Sequence, residues 1–96
     1  MKELDRIIKI IKEHEEILQN EYFIKSLSIF GSISRGQDAE ASDIDILVEF
    51  SRPIGFGFFR AARYLEEITG RKIDLVTKDA IKPEIANNIM KDLIHV

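Results

Sequence analysis

The sequence predicts an α+β domain, a small sheet with helices packed against it, and three observations carry that prediction. Runs of helical periodicity are interleaved with short β-favourable runs, and most of the connections between them are short. At 96 residues the chain has room for one modest core and no second domain or internal repeat, so residues 1–96 are read as a single unit.

Each element has its own signal. Ile7, Ile8, Ile11 and Leu18 recur at three- and four-residue spacing among Lys, Glu and Gln, which predicts a first helix over Lys2 to Asn20 with one buried stripe. Ser26 to Phe30 (SLSIF) alternates polar and apolar residues up to Gly31, the pattern of a short strand ending in a turn. Gly31 to Ser42 (GSISRGQDAEAS) has no sustained apolar period and reads as exposed loop with room for one helical turn. Asp43 to Phe50 (DIDILVEF) is the strongest strand signal in the chain, closed by Ser51-Arg52-Pro53, because proline cannot donate to a ladder. Helical spacing returns from Phe58 to Thr69, with Gly70 placed as a helix terminator, and Lys72 to Thr77 (KIDLVT) predicts a third strand. Pro83 suits a first helical position, and Ile85, Ile89 and Leu93 repeat every four residues, so the tail is expected to be a helix into the last few residues. The element order is α, β, loop, β, α, β, α, which leaves the strand directions open.

Composition narrows the function. Apolar residues make up 45% and charged residues 32%, as expected of a folded, soluble domain and unlike a disordered chain. Fourteen basic against 17 acidic side chains give a net charge of -3, so the summed positive field on which sequence-independent nucleic-acid binding depends is lacking. With no cysteine, disulfides, thiolate metal sites and cysteine nucleophiles drop out, which fits a reducing cytoplasm. The N-terminus alternates charge with apolar residues, unlike a signal peptide or membrane span. Self-association is compatible with this composition.

The chemistry is concentrated in three places. Asp43 and Asp45 lie two apart at the start of a strand, so both carboxylates leave the same side of the sheet, while Ile44, Ile46 and Val48 take the packing side. Two carboxylates about 4 Å apart repel by roughly 1 kcal/mol in water and by several times that at a protein surface, which calls for a compensating cation. Hard oxygen ligands suit Mg²⁺ or Mn²⁺, ions that in turn suit phosphates. The same DxD also fits an ordinary strand start.

Asp74 interrupts an apolar strand between Ile73 and Leu75, where an aspartate needs a partner. If that strand lies beside the Asp43 strand, Asp74 completes a three-carboxylate set able to hold two ions about 3.5 to 4 Å apart; otherwise it is an edge residue facing water. Gly31 and Ser32 end a strand, so their backbone N–H groups can point outward together toward an anionic oxygen, with Arg35 able to add a forked phosphate contact. Phe56, Phe58 and Phe59 fit core or a partner surface better than a base-stacking platform, since no basic cluster adjoins them in sequence. His14 and His95 lack companions at metal-ligand spacing, and neither a nucleophile elbow nor a Walker-type loop is present.

Taken together, GSISRG, SDIDILVEF and KIDLVT resemble the minimal nucleotidyltransferase (MNT) family of the DNA polymerase β-like superfamily, with Gly31-Ser32, ten residues, then Asp43-Ile44-Asp45 at the family's spacing. FGFFRAARYLEEITGRKIDLVT and the Pro83 segment extend the resemblance over nearly the whole chain, and Ser34 stands where many members have alanine. The resemblance implies a mixed sheet flanked by helices. It also implies Asp43 and Asp45 as Mg²⁺ ligands, Asp74 as third carboxylate and possible base, Gly31 and Ser32 on the β- and γ-phosphates of ATP, and Arg35 assisting. Members this small are often antitoxins that transfer AMP from ATP to a tyrosine of a HEPN-domain toxin, and that is the function expected here. The competing expectations are a non-catalytic antitoxin acting by binding alone and a transferase with a small-molecule or RNA acceptor.

Overall fold

The computed structural model describes residues 2–31, 33–34, 43–81 and 93–96. The amphipathic N-terminal stretch forms two helices, α1 (Lys2–Glu13) and α2 (Glu15–Asn20), where the periodicity alone predicts one. The break is at His14, whose ring Nδ1 lies 2.7 Å from the Ile10 carbonyl while its backbone N–H is shared between the carbonyls of Ile10 and Ile11. A side chain competing for a helical carbonyl disturbs the ladder at that turn. The chain resumes at once, Leu18 N–H bonding to the His14 carbonyl, so Leu18 still reaches the core.

Four strands form one sheet: β1 (Ile24–Phe30), β2 (Ile44–Phe50), β3 (Ile73–Thr77) and β4 (Ile94–His95), in the order β3-β2-β1-β4. β1 runs antiparallel to both β2 and β4, and β2 runs parallel to β3, so the sheet is mixed. A parallel neighbour needs a crossover, and α3 (Gly57–Thr69) supplies it. That helix ends at Gly70, whose left-handed backbone (φ 70°) directs its N–H to the Glu66 carbonyl. The Glu66 carboxylate then accepts from Ile73 N–H at 3.1 Å, tying the end of α3 to the first residue of β3.

The expected tail helix is corrected at its end. Residues 82–92 lie outside the described residues, but Ile94–His95 is a strand, and Val96 N–H bonds to the Leu27 carbonyl at 3.0 Å. The β-branched pair Ile94 and Val96 completes the free edge of β1, a tertiary contact that four-residue spacing could not foresee.

The core lies between the helices and one face of the sheet. Ile7 and Ile11 of α1 and Ala61 and Leu65 of α3 join Leu27, Ile29, Ile44, Ile46, Val48, Ile73 and Leu75 in one buried cluster. Each of these isoleucine, leucine and valine side chains contributes about 1.5–3 kcal/mol on burial. A polar clasp closes the end of this layer: Glu3 accepts from Arg6 at 2.7 and 2.9 Å and from Arg71 at 2.6 Å, joining α1 to the turn that enters β3.

Candidate active site

Strand alternation decides what the sheet shows on its second face. With Ile44, Ile46 and Val48 turned into the core, Asp45, Leu47 and Glu49 take the opposite side of β2. In the parallel ladder Asp45 stands directly beside Asp74, and across the antiparallel ladder it stands beside Phe30, the residue before Gly31. Neighbouring strands lie about 4.8 Å apart, so register alone brings two carboxylates and the Gly31 turn to one spot.

Gly31 is required there twice over. Its backbone is left-handed, at φ 83°, and a Cβ built on it would run into the Asp45 carboxylate. The Asp45 side chain therefore rests against bare backbone at the turn, an approach only glycine permits. Two further residues hold this turn. Ile33 is 2% exposed and anchors the loop in the core, and the Ser34 hydroxyl donates to the Gly31 carbonyl at 2.8 Å. Neither was singled out for the site on sequence, although an isolated isoleucine in a Gly/Ser-rich loop is the signal that could have revealed the anchor.

Asp43 lies one residue before β2, at the point where Ile44 N–H bonds to the Lys72 carbonyl at 2.8 Å and fixes the start of the β2–β3 ladder. Asp43 and Asp74 are exposed and Asp45 is half-buried. The structure thus brings Asp45, Asp74 and Gly31 together and puts Asp43 at their edge, while Ser32 and Arg35 lie outside the described residues.

The donor chemistry fits a hard divalent cation: carboxylate oxygens on a rigid ladder, like charges side by side, and a bare-backbone cradle at Gly31 against one of them. Among the described residues no three acidic or histidine side chains converge tightly enough to hold one ion, so the backbone sets the positions and side-chain rotation would complete the set. On the same face, Ser28 Oγ and His95 Nδ1 share a hydrogen bond of 2.9 Å that ties β4 to β1, which gives His95 a structural role. No helix among the described residues is long and apolar enough to cross a membrane.

Comparison with known proteins agrees with this geometry. The nucleotidyltransferase domain family matches residues 4–96. A Methanocaldococcus jannaschii chain with a provisional protein-adenylyltransferase name is 47% identical over 98 residues, covering all of both chains. The protein adenylyltransferase MntA of Thermococcus cleftensis is 34% identical over 94 residues, covering 97% of this chain and 95% of the relative. A chain in the solved complex of a tri-AMPylated Shewanella oneidensis HEPN toxin with its MNT antitoxin superposes with a TM-score of 0.63 at 20% identity, over 97% of this chain and 70% of that one, and so shares the fold. Gly31, the carboxylates of β2 and β3, and the family match over nearly the whole length lead to one conclusion: this chain belongs to the nucleotidyltransferase domain family, in its minimal (MNT) form.

Proposed function

We propose that this chain is a Mg²⁺-dependent protein adenylyltransferase that moves AMP from ATP to a tyrosine of a HEPN-domain toxin and thereby acts as its antitoxin in the cytoplasm. The observation that carries the proposal is the in-register pairing of Asp45 with Asp74 over the Gly31 turn. The naming of full-length relatives as protein adenylyltransferases supports adenylyl transfer, and the Shewanella oneidensis complex supports a HEPN partner.

In this reading Asp43 and Asp45 hold Mg²⁺, with Asp74 as the third carboxylate. The bound ions supply charge neutralisation at the α-phosphate and at the departing pyrophosphate. Gly31 and Ser32 receive the β- and γ-phosphates on their backbone N–H groups, and Arg35 adds a forked contact. The tyrosine oxygen bonds to the α-phosphorus as the bond to the β-phosphate oxygen breaks; the phenolic proton passes to Asp74, and pyrophosphate leaves.

The test is transfer of labelled ATP with Mg²⁺ to a HEPN-domain protein from the same genome, comparing the wild type with Asp45→Asn and Asp74→Asn. Label on a tyrosine of that protein, reduced at least about a hundredfold in both variants, is expected. No label from the wild type, with neutralisation of the toxin surviving both substitutions, would leave an antitoxin that works by binding alone.

A further inference from the structure

At the far end of β2 from the carboxylates, arginines and aromatic rings build a second surface. Phe23 has φ 57°, a left-handed backbone that a phenylalanine rarely adopts, and its carbonyl accepts from both Ser51 N–H (2.8 Å) and Ser51 Oγ (3.2 Å). The ring so placed carries the Arg52 guanidinium 3.6 Å from its centroid. Next to it Tyr22 stacks on Tyr64 at 4.7 Å, and the Arg60 guanidinium lies 5.9 Å over Tyr22.

Two cavities meet here. One of about 270 Å³ lies between Phe23, Arg52, Ile54 and Arg60, and one of about 180 Å³ lies between Arg60, Arg63, Tyr64 and Glu67. Tyr22 and Arg60 line both, so they form one groove between the first half of α3 and the turn before β1. Arg52, Arg60 and Arg63 are exposed and take part in none of the ion pairs among the described residues. Phe56 and Phe59, 86% and 66% exposed, stand on the same helix start.

Guanidinium groups laid on ring faces keep their in-plane N–H donors for a planar anion, and carboxylates match that fork. Glu21 and Glu67 also line the groove. Those glutamates would repel a uniformly charged phosphate backbone, and the chain's net charge of -3 would add to the repulsion. A peptide with a few carboxylates spaced between apolar side chains can set those carboxylates against the three arginines and its apolar side chains against the rings of Tyr22 and Phe23, with less of that repulsion. We propose that this groove docks an acidic, apolar-bearing segment of the acceptor protein, about 20 Å from the carboxylates as judged from the length of β2. That the occupant is the acceptor rests on the transferase reading above; that the groove binds an acidic segment does not.

The experiment has two arms. In the first, the ¹⁵N-labelled full chain, without nucleotide, is titrated with a synthetic twelve-residue peptide of glutamate and leucine. Shifts are expected at 21–23, 52–54 and 56–64, with Kd raised at least tenfold by Arg60→Glu/Arg63→Glu and left unchanged by the charge reversal Lys9→Glu/Lys12→Glu on α1. Shifts elsewhere, equal weakening by both double variants, tighter binding of a twelve-nucleotide RNA to the same residues, or a concentration-dependent dimer on this face in place of peptide binding would each overturn the proposal. In the second arm, Arg60→Glu/Arg63→Glu raises KM for the protein acceptor at least tenfold with KM for ATP unchanged. An active wild type with an unmoved acceptor KM in the variant sinks the docking role and leaves the transferase standing; a wild type inactive on every protein sinks the transferase, and the titration still decides the groove.

Discussion

The two ends of β2 are built from different materials. At the N-terminal end the parts are placed by backbone: Asp45 faces Asp74 because two strands pair in register, and the carboxylate meets Gly31 because that residue has no side chain. At the C-terminal end the parts are placed by side chains lying on rings, Arg52 on Phe23 and Arg60 over Tyr22. Ladder positions cannot move without breaking hydrogen bonds, whereas a stacked guanidinium can turn within its plane for little energy. The first construction suits a reaction that needs fixed geometry, the second a surface that must adapt to a segment of another protein.

The largest effect that would sharpen this contrast comes from two glycines with similar backbones. Gly31 and Gly70 have φ 83° and 70°, but a Cβ at Gly31 meets Asp45 while one at Gly70 meets nothing within 4 Å. Both Gly→Ala variants are expected to lose about 1–2 kcal/mol of stability from left-handed backbone alone. Only Gly31→Ala is expected to lose transfer as well, by about a hundredfold or more, because the displaced carboxylate is a proposed metal ligand. Urea unfolding and labelled-ATP transfer on the same two samples read both quantities. Equal loss of transfer in the two variants would mean that the acid end is sensitive to strain in general and not to this contact.

A smaller effect asks whether the acid end depends on support from α1. Arg71 enters β3 three residues before Asp74 and is held by Glu3. The Arg6 guanidinium, and then Arg71, hold the Glu3 carboxyl at about 2 against an ordinary 4.5, although its burial pushes the other way. A depressed carboxyl stabilises the fold at pH values above its ordinary one, and that contribution is lost as pH falls from 4.5 through about 2. Glu3→Gln is therefore expected to cost about 1 kcal/mol at pH 7 after allowance for solvent screening, with the difference from wild type closing below pH 4.5. Thermal unfolding across that range checks it, and a pH-independent difference would assign the loss to packing.

The same contrast explains what the sequence reveals. The acid end is written in short-range code: Asp43 and Asp45 share a face because strand side chains alternate, and Gly31 ends a strand whose apolar phase is plain. What no spacing states is that β3 lies beside β2 in the one register that aligns Asp74 with Asp45; the sequence leaves that adjacency as a condition, and the family resemblance implies only that Asp74 is the third carboxylate. The arginine groove has little local code: Arg60 and Arg63 share one face of α3, but Phe23, Arg52 and Arg60 meet only after β1, β2 and α3 have packed. Phe56 and Phe59 fit core or partner surface on sequence, and the structure leaves both exposed at the start of α3, one helical turn before Arg60 and Arg63. The His14 break and β4 escaped for related reasons: one is a ring competing for a carbonyl, the other a strand that exists only because β1 has an open edge.

The smallest effect tests the arginine end as a piece of fold. Arg52 is exposed, and its stack on Phe23 is worth about 0.5–1 kcal/mol at such a site. Phe23 does not depend on it, because Ser51 holds the Phe23 carbonyl from both its N–H and its hydroxyl. Arg52→Ala is therefore expected to lower Tm by about 2–8 °C in a domain of this size. Arg52→Lys is expected to recover less than half of that, because a lysine keeps the charge and loses the flat contact. A loss as large as that of Gly31→Ala would place Arg52 among the supports of the β2 terminus. The two ends would then differ in chemistry but not in how much of the fold rests on them.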